Sequence, residues 1–311
     1  MASPEPESEA VPVPAPGTMA QARAECGPGV HIVGVIGSPV AHSLSPLLHN
    51  TAFGALGLSD LWRSFAFEIE PGEAAGALTQ MRTSDVTGLS VTMPHKADVA
   101  ALVDECSDVA RRLNAVNCVH QQEGRFLFGT NTDGDGFVAS LARGAQFVPA
   151  GKRCVVVGAG GAARAVVLAL ADAGASGIAV VNRTAERAFE AAALAGEHGT
   201  VVPLTEHAIA DAVGVADLVV NATPVGMTGV AGGPIEWLVA PDLLGEGQVA
   251  ADLVYVPRQT AWLERAADAG ATTLGGLGML VHQAAAQLVL WTGVAPPIEA
   301  MWQEAEAAAP S

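Results

Sequence analysis

The chain has 311 residues, half of them hydrophobic and only 15% charged, which is enough length and apolar content for two domains with well-filled interiors. Its formal net charge of −17 repels a phosphate backbone, so nucleic acid is a poor partner and any anionic ligand needs a local site rather than the overall field. No apolar run reaches the roughly 18–20 residues that cross a membrane, and the four cysteines, none in CxxC spacing, read as free thiols in a reducing, cytoplasmic setting.

Residues 1–29 begin MASPEPESEAVPVPAPGT, lack the basic and apolar regions of a signal peptide, and read as a disordered tail, with Met1 and Met19 both open as starts. His31–Ile36 reads as the first strand. Pro46–Leu56 follows as a helix, with Ser45 as its cap, Pro46 in its first turn and Gly57 at its end; Leu48, Ala52 and Leu56 share one face. A strand near Trp62–Phe67, a helix near Gly72–Met81 and a strand near Val86–Val91 continue the alternation. Helical stretches near Ala97–Val103 and Ser107–Leu113 come next. Ala115–His120 and Arg125–Phe128 flank Glu123-Gly124 as a hairpin. A helix from Gly134 to about Arg143 is a candidate connector, and Gly144 to Gly151 reads as a linker.

The second region opens on a βαβ unit: strand Cys154–Val157, a glycine loop, helix Ala162–Ala173 and strand Ile178–Val181. Further strands are expected at Val201–Pro203, Leu218–Asn221 and Val249–Val254, and helices at Ala185–Ala195, Glu206–Val213 and Thr260–Ala267. In the last strong helix, Leu277–Trp291, the residues Leu277, Leu280, Val281, Ala284, Ala285 and Leu288 make a core-facing stripe, with Gln283 and Gln287 one turn apart on another face. The strand–helix alternation sets the fold class as α/β.

Gly158, Gly160 and Ala163 match G-x-G-x-x-A between a strand and a helix, the pattern that brings a dinucleotide pyrophosphate against a helix N-terminus. Ala159, Gly161 and Ala162 complete that turn. The next strand ends not in a carboxylate but in Asn182-Arg183-Thr184, with Arg187 one turn on. An arginine there would pair with a 2′-phosphate, which points to NADP(H); solvated surface charges are the alternative.

The N-terminal half has no metal-ligand cluster and no G-x-S-x-G elbow, and His42 and His49 read as structural. Polar residues instead gather after strands: Ser43 and Ser45 after the first, Thr92 and Lys96 after the third, Asn117 in the fourth, and Asn131, Thr132 and Asp133 before the connecting helix. Ligands of open α/β sheets bind beyond the carboxyl ends of strands, so these residues are placed to converge.

The segments Gly37–Asn50 (GSPVAHSLSPLLHN), Ser90–Lys96 (SVTMPHK), Asn114–Asn117 (NAVN), Asn131–Gly134 (NTDG), Gly158–Arg164 (GAGGAAR), Asn182–Thr184 (NRT), Asn221–Met227 (NATPVGM), Asp252–Tyr255 (DLVY) and Gly276–Gln283 (GLGMLVHQ) resemble, in this order, the motifs of the shikimate dehydrogenase family. The resemblance spans about residues 31 to 293. It implies an N-terminal substrate domain (residues 30–135 joined by 276–311), a Rossmann-type NADP domain (136–275), and a cleft between them. It implies NADP(H)-dependent interconversion of 3-dehydroshikimate and shikimate, a step of aromatic amino-acid biosynthesis by way of chorismate. Lys96 and Asp133 would be the catalytic pair. Ser43 and Ser45, helped by Tyr255, would hold the substrate carboxylate, and Thr92, Asn117 and Gln283 would read the ring hydroxyls. Gly158, Ala159, Gly160, Gly161 and Ala162 would take the pyrophosphate. Asn182, Arg183, Thr184 and Arg187 would take the 2′-phosphate and adenosine, and Asn221, Ala222, Thr223, Gly276 and Met279 would line the rest of the cofactor site.

The chemistry suits these residues. Hydride transfer to a ketone leaves an alkoxide that needs a proton, which a lysine oriented by a carboxylate can give. The sequence departs from the usual family pattern at Ser90 (Asn is usual), Asn114 (Gly) and Cys118 (Thr), which bears on fine specificity and not on reaction class. Three alternatives stay open: a quinate/shikimate dehydrogenase, an aminoshikimate-pathway dehydrogenase, and, from another class, a non-catalytic NADP-binding sensor, which would have no use for Lys96 and Asp133 together. A homodimer is left open.

Overall fold

The computed structural model describes residues 17–227 and 239–309. Buried parallel strands carry apolar residues on both faces, and two sets of such runs build two sheets. In the first, β1 (His31–Gly37), β2 (Trp62–Glu68), β3 (Val86–Val91), β4 (Glu105–Cys106), β5 (Cys118–Gln121) and β6 (Leu127–Thr130) lie in the order β2-β1-β3-β5-β6-β4. β1 runs parallel to β2 and β3, and β5 is antiparallel to β3 and β6, so the hairpin around Glu123-Gly124 forms. In the second, β7 (Arg153–Val157), β8 (Gly177–Val181), β9 (Gly199–Val201), β10 (Leu218–Asn221), β11 (Val249–Asp252) and β12 (Thr272–Leu274) lie in the order β12-β11-β10-β7-β8-β9, every pair parallel. The α/β class is thereby met twice over.

The helices are α1 (Met19–Cys26), α2 (Ser45–Ala55), α3 (Ala74–Thr83), α4 (Lys96–Leu102), α5 (Asp108–Leu113), α6 (Asp133–Gly144), α7 (Gly161–Asp172), α8 (Ala185–Ala193), α9 (Glu206–Gly214), α10 (Ala261–Asp268), α11 (Leu277–Thr292) and α12 (Ile298–Ala308). Among the described residues no helix is long and apolar enough to cross a membrane.

The structure corrects the sequence reading at several points. Of the tail expected to be disordered over residues 1–29, residues 1–16 lie outside the described residues, but 19–26 form α1. Its start is a capping box: Thr18 Oγ1 accepts from Gln21 N at 3.2 Å, and Gln21 Oε1 accepts from Thr18 N at 2.7 Å. Met19 and Ala22 are buried among Phe65, Phe67 and Met81, and Arg23 donates to the carbonyls of Ser84 and Asp85. Ser45 is not the cap of α2 but its first residue; Leu44 precedes it with no side-chain cap, and Ser43 Oγ accepts from Ser45 N at 3.3 Å. β9 lies two residues earlier than read, since Pro203 has no N–H for a ladder. β11 stops at Asp252, because that side chain takes the Val254 N–H at 3.0 Å and turns the backbone out of the sheet.

The apolar stripe of α11 decides where the chain goes after the second sheet. Leu277, Val281, Ala284, Ala285, Leu288 and Trp291 pack with Val33, Leu48, Phe53 and Cys118 of the first sheet and α2. α11 also lies along α6, and α12 adds Met301 and Ala305 to the same cluster. Trp291 lies flat over β3 where Gly88 offers no side chain: a Cβ there would stand 2.2 Å from the indole Nε1, which donates to Val119 O at 3.1 Å. Gly88→Ala is therefore expected to lower the unfolding free energy by about 1–3 kcal/mol through forced displacement of a buried ring. Denaturant midpoints at unchanged m-value measure this, and a variant as stable as the parent would show that α11 is not seated through Trp291.

Candidate active site

Both sheets reverse strand order next to their first strand, and ligands of open sheets bind beyond the carboxyl ends of strands at such points. In the first sheet the reversal lies between β1 and β3. There Thr92 N donates to Ile36 O at 2.9 Å and Ser38 N to Met93 O at 3.0 Å, so the two loops leave the sheet together. In the second it lies between β7 and β10. Gly158, at φ +113°, turns the chain out of β7, and a Cβ there would come within 2.9 Å of Ala222 O, which makes glycine mandatory.

A cavity of about 190 Å³ opens between these edges. It is lined by Ser43, Ser45, Ser90, Thr92, Lys96, Asn117, Asp133, Ala162, Tyr255, Gly276, Met279 and Gln283, together with the apolar Val35, Val91, Leu253 and Leu280. Every residue expected to be catalytic or substrate-binding thus meets at one place, although they come from well-separated stretches of chain. Gly276 fits only as glycine, since a Cβ would lie 2.2 Å from Leu253 O; this close passage carries Met279 to the cavity.

Lys96, the first residue of α4, and Asp133, the first of α6, form an ion pair with Nζ 2.5 Å from Oδ2. A carboxylate at a helix start is favoured by the helix dipole. The other oxygen of Asp133, Oδ1, accepts from Asn117 Nδ2 at 2.7 Å. Asn117 is itself fixed, because its Oδ1 accepts from Thr132 N at 2.7 Å. Asp133 N donates to Asn131 Oδ1 at 3.1 Å, and Thr132 Oγ1 donates to Gln283 O at 3.2 Å, joining α6 to α11. Asn117, read from sequence as a ligand for ring hydroxyls, therefore spends its amide on Asp133 and Thr132 while its edge still faces the cavity. Asn131 and Thr132, expected to converge with Asp133, support it through these bonds, and the residue missed as a partner is Gln287. Gln287 Nε2 donates to Gln283 Oε1 at 2.9 Å, and its place one turn beyond Gln283 was the available signal.

On the nucleotide side, Gly160 precedes α7 and leaves the N–H groups of its first turn without side-chain caps. Arg183 and Arg187 are exposed at the end of β8 and the start of α8, and neither has a carboxylate partner among the described residues. Asn182 Nδ2 donates to Thr184 O at 2.9 Å and shapes that turn. The Asn221–Thr223 loop is held from below. Asn221 Nδ2 and Thr260 Oγ1 donate to Asp252 at 2.9 and 2.8 Å, while Thr223 N and Oγ1 donate to Asn221 Oδ1 at 3.0 and 2.7 Å. Burial pushes the Asp252 carboxyl up to about 6, opposed by these donors. Burial likewise raises the Tyr255 phenol above its usual range. Among the described residues no group of His, Cys, Asp and Glu is arranged to hold a metal ion.

Three family models match the chain. The shikimate dehydrogenase substrate binding domain covers residues 35–119, the shikimate / quinate 5-dehydrogenase model covers 141–258, and the shikimate 5′-dehydrogenase C-terminal domain covers 276–306. The NADP(+)-named shikimate dehydrogenase of Moorella thermoacetica is 44% identical over 289 residues, which is 91% of this chain and 94% of that protein. The shikimate 5-dehydrogenase of Thermus thermophilus, solved in complex with NADP(H) and shikimate, superposes with a TM-score of 0.79 at 38% identity, over 90% of this chain and 100% of that one. A quinate dehydrogenase from Corynebacterium glutamicum in complex with NAD superposes with a TM-score of 0.77 at 29% identity, over 89% of this chain and 99% of that one. Identity at this level over nearly the full length, with the matches running from the first sheet through α11, means that the chain belongs to the shikimate dehydrogenase family.

Proposed function

We propose that the protein catalyses the reversible, NADP(H)-dependent reduction of 3-dehydroshikimate to shikimate in the cytoplasm, as a monomer or a homodimer. The observation that supports it most is the Lys96–Asp133 pair, braced by Asn117, at the floor of a cavity that the edges of both sheets reach. In this reading residues 30–135 and 276–311 form the substrate domain and 136–275 the NADP domain.

Ser43 and Ser45, with Tyr255, donate hydrogen bonds to the substrate carboxylate without bringing a fixed charge. Thr92, Asn117 and Gln283 face the ring hydroxyls. The N–H groups of the Gly158–Ala162 turn hold the pyrophosphate at the start of α7. Arg183 and Arg187, with Asn182 and Thr184, take the 2′-phosphate and adenosine; Asn221, Ala222, Thr223, Gly276 and Met279 wall the rest of the cofactor. When bound, the nicotinamide supplies the hydride to the carbonyl carbon. As charge grows on the carbonyl oxygen, an N–H bond of Lys96 breaks and the O–H bond of shikimate forms; the neutral amine then regains a proton from solvent. Asp133 keeps Nζ aimed at that oxygen, and positioned proton transfer of this kind contributes roughly 10²–10⁴-fold to the rate.

The defining experiment is NADP+ reduction by the purified protein with shikimate, quinate and aminoshikimate side by side. Shikimate is expected to give the highest kcat/KM. A preference for quinate or aminoshikimate would move the protein to a neighbouring dehydrogenase, and no turnover with any of them would leave an NADP-binding sensor.

Three substitutions test the assignments. Arg183→Ala is expected to raise KM for NADP+ by about tenfold or more, the scale of a lost charge-assisted contact, with little effect on NAD+; equal effects on both cofactors would remove Arg183 from 2′-phosphate recognition. Lys96→Ala is expected to lower kcat by roughly 10²-fold or more with KM for shikimate nearly unchanged, and Asp133→Asn to lower kcat as well. The double variant should be little worse than the worse single one, because residues that act as a unit are not additive. Near-normal turnover in Lys96→Ala would exclude it as the proton donor, and multiplied losses would show that the two residues act separately.

A further inference from the structure

Asp252 ends β11 at the carboxyl edge of the second sheet, in register with Asn221 on β10, and both side chains are buried. The proton-transfer chemistry does not use it. A carboxylate is costly to bury unless donors surround it, and this one is fully engaged. Its Oδ1 accepts from Asn221 Nδ2 at 2.9 Å and from Val254 N at 3.0 Å, and its Oδ2 accepts from Thr260 Oγ1 at 2.8 Å. Donors from three segments of chain therefore meet on one side chain.

Two of those segments lead to different walls of the site. Asn221 turns its oxygen to the N–H of Thr223, so its nitrogen must face Asp252 and the Val225 carbonyl, and the amide has one orientation. That fixes the Asn221–Thr223 loop, whose Ala222 carbonyl lies against Gly158. Val254 belongs to the turn that leaves β11, and its neighbours Leu253 and Tyr255 both line the cavity. The two segments also meet directly, since Leu253 N donates to Asn221 O at 2.9 Å. The same turn seats the start of α11: Gly276 N donates to Val254 O at 3.1 Å, four residues before Met279 comes to line the cavity through the next turn but one of backbone. The third segment is the anchor. Thr260 caps α10, and Trp262, Leu263 and Ala266 of that helix share a core with Val155, Val219 and Ala250 of the second sheet.

We infer that Asp252 is a positioning residue: its carboxylate holds the Asn221–Thr223 loop and the Leu253–Tyr255 turn in one fixed relation, so that the cofactor wall and the substrate wall are set together. The inference rests on the proposed reaction for what those two walls hold. Asp252 is 1% exposed and is not among the residues that line the cavity, so it acts through Asn221 and Val254. The length of the side chain matters, because a single oxygen serves both the N–H two residues on and the amide across the ladder. A carboxylate one methylene longer overshoots that point.

The test uses the full chain and two kinds of measurement. Tyr255 is the single tyrosine of the sequence, so 3-fluorotyrosine incorporation gives one ¹⁹F resonance that reports on the turn after β11 without any turnover. Asp252→Ala is expected to move or broaden that resonance in the ligand-free protein. It is also expected to raise KM for shikimate and KM for NADP+ together, each by about tenfold, the scale of one lost buried hydrogen bond. Asp252→Asn keeps Oδ1 for Asn221 and Val254 and offers its nitrogen to the Thr260 hydroxyl, which can accept; it should keep the wild-type resonance and both KM values within about threefold. Asp252→Glu keeps the charge but not the reach, and should resemble Asp252→Ala. A rise in KM for NADP+ alone, with the Tyr255 resonance unmoved, would show that Asp252 does not join the two walls. Lower stability with both KM values unchanged would make it a structural residue only. A folded Asp252→Asn as damaged as Asp252→Ala would assign the effect to charge and overturn the geometric account. If Asp252→Ala does not fold, Asp252→Asn and Asp252→Glu still decide. Absence of shikimate turnover in the wild type would count against the proposed reaction, while the ¹⁹F comparison and NADP+ affinity by titration would still test the link.

Discussion

The carboxylate of Asp133 can be held in one orientation only if both of its oxygens are engaged, and most of the site is arranged around that need. Lys96 takes one oxygen and Asn117 the other. Each of these arrives from a different turn: Lys96 from the loop after β3, Asn117 from the approach to β5, Asp133 from the start of α6. The three turns are close because β3 and β5 are neighbours in the first sheet and β6 leads straight into α6. α11 closes the set from behind, with Thr132 bonded to the Gln283 carbonyl and Gln287 to that of Asn117. In the proposed reaction a lysine so constrained has one direction in which to deliver its proton, toward the cavity.

The same sheet geometry sets where the cavity opens. Each sheet exposes the loops at its own point of strand reversal, and α6 leads from the first sheet to the second while α11 returns. Met279 and Gln283, one turn apart on α11, face one cavity that Ala162 from the start of α7 also lines. A ketone reduced here would lie between the Lys96 ammonium and the nucleotide edge. The overall charge of −17 does nothing for two anionic ligands; the proposed reading assigns their capture to local groups, namely the serine hydroxyls, the free helix start after Gly160, and Arg183 and Arg187, which have no carboxylate partner among the described residues.

Much of this was legible in the sequence because it rests on short-range rules. The turn at Gly158–Ala163 announces itself between a strand and a helix, the Asn182-Arg183-Thr184 end of β8 lacks a carboxylate, and the α11 stripe follows helical spacing. What was not legible depends on contacts distant in the chain. Asn117 stands in an ordinary strand approach, and nothing nearby says that its amide will be claimed by Asp133. Gln287 looks like an incidental polar residue on its helix until packing sets it against Gln283 and the Asn117 carbonyl. α1 was hidden by composition: its Thr18–Gln21 capping box was readable, but it follows a Pro-, Ala- and Glu-rich run, and its two buried residues give no periodic stripe. Ser45 has the right residue type for a cap, yet the neighbouring hydroxyl of Ser43 is the one that meets the backbone N–H.

The most direct measurement is a crystal structure of the protein with NADP+ and shikimate bound together. The expected result is shikimate in the cavity with its reacting hydroxyl within about 3.2 Å of Lys96 Nζ, its carboxylate on Ser43 and Ser45, and the nicotinamide on the Gly276 and Met279 side of the ring. A shikimate hydroxyl that meets the nicotinamide while lying out of reach of Lys96 would contradict the role given to the Lys96–Asp133 pair.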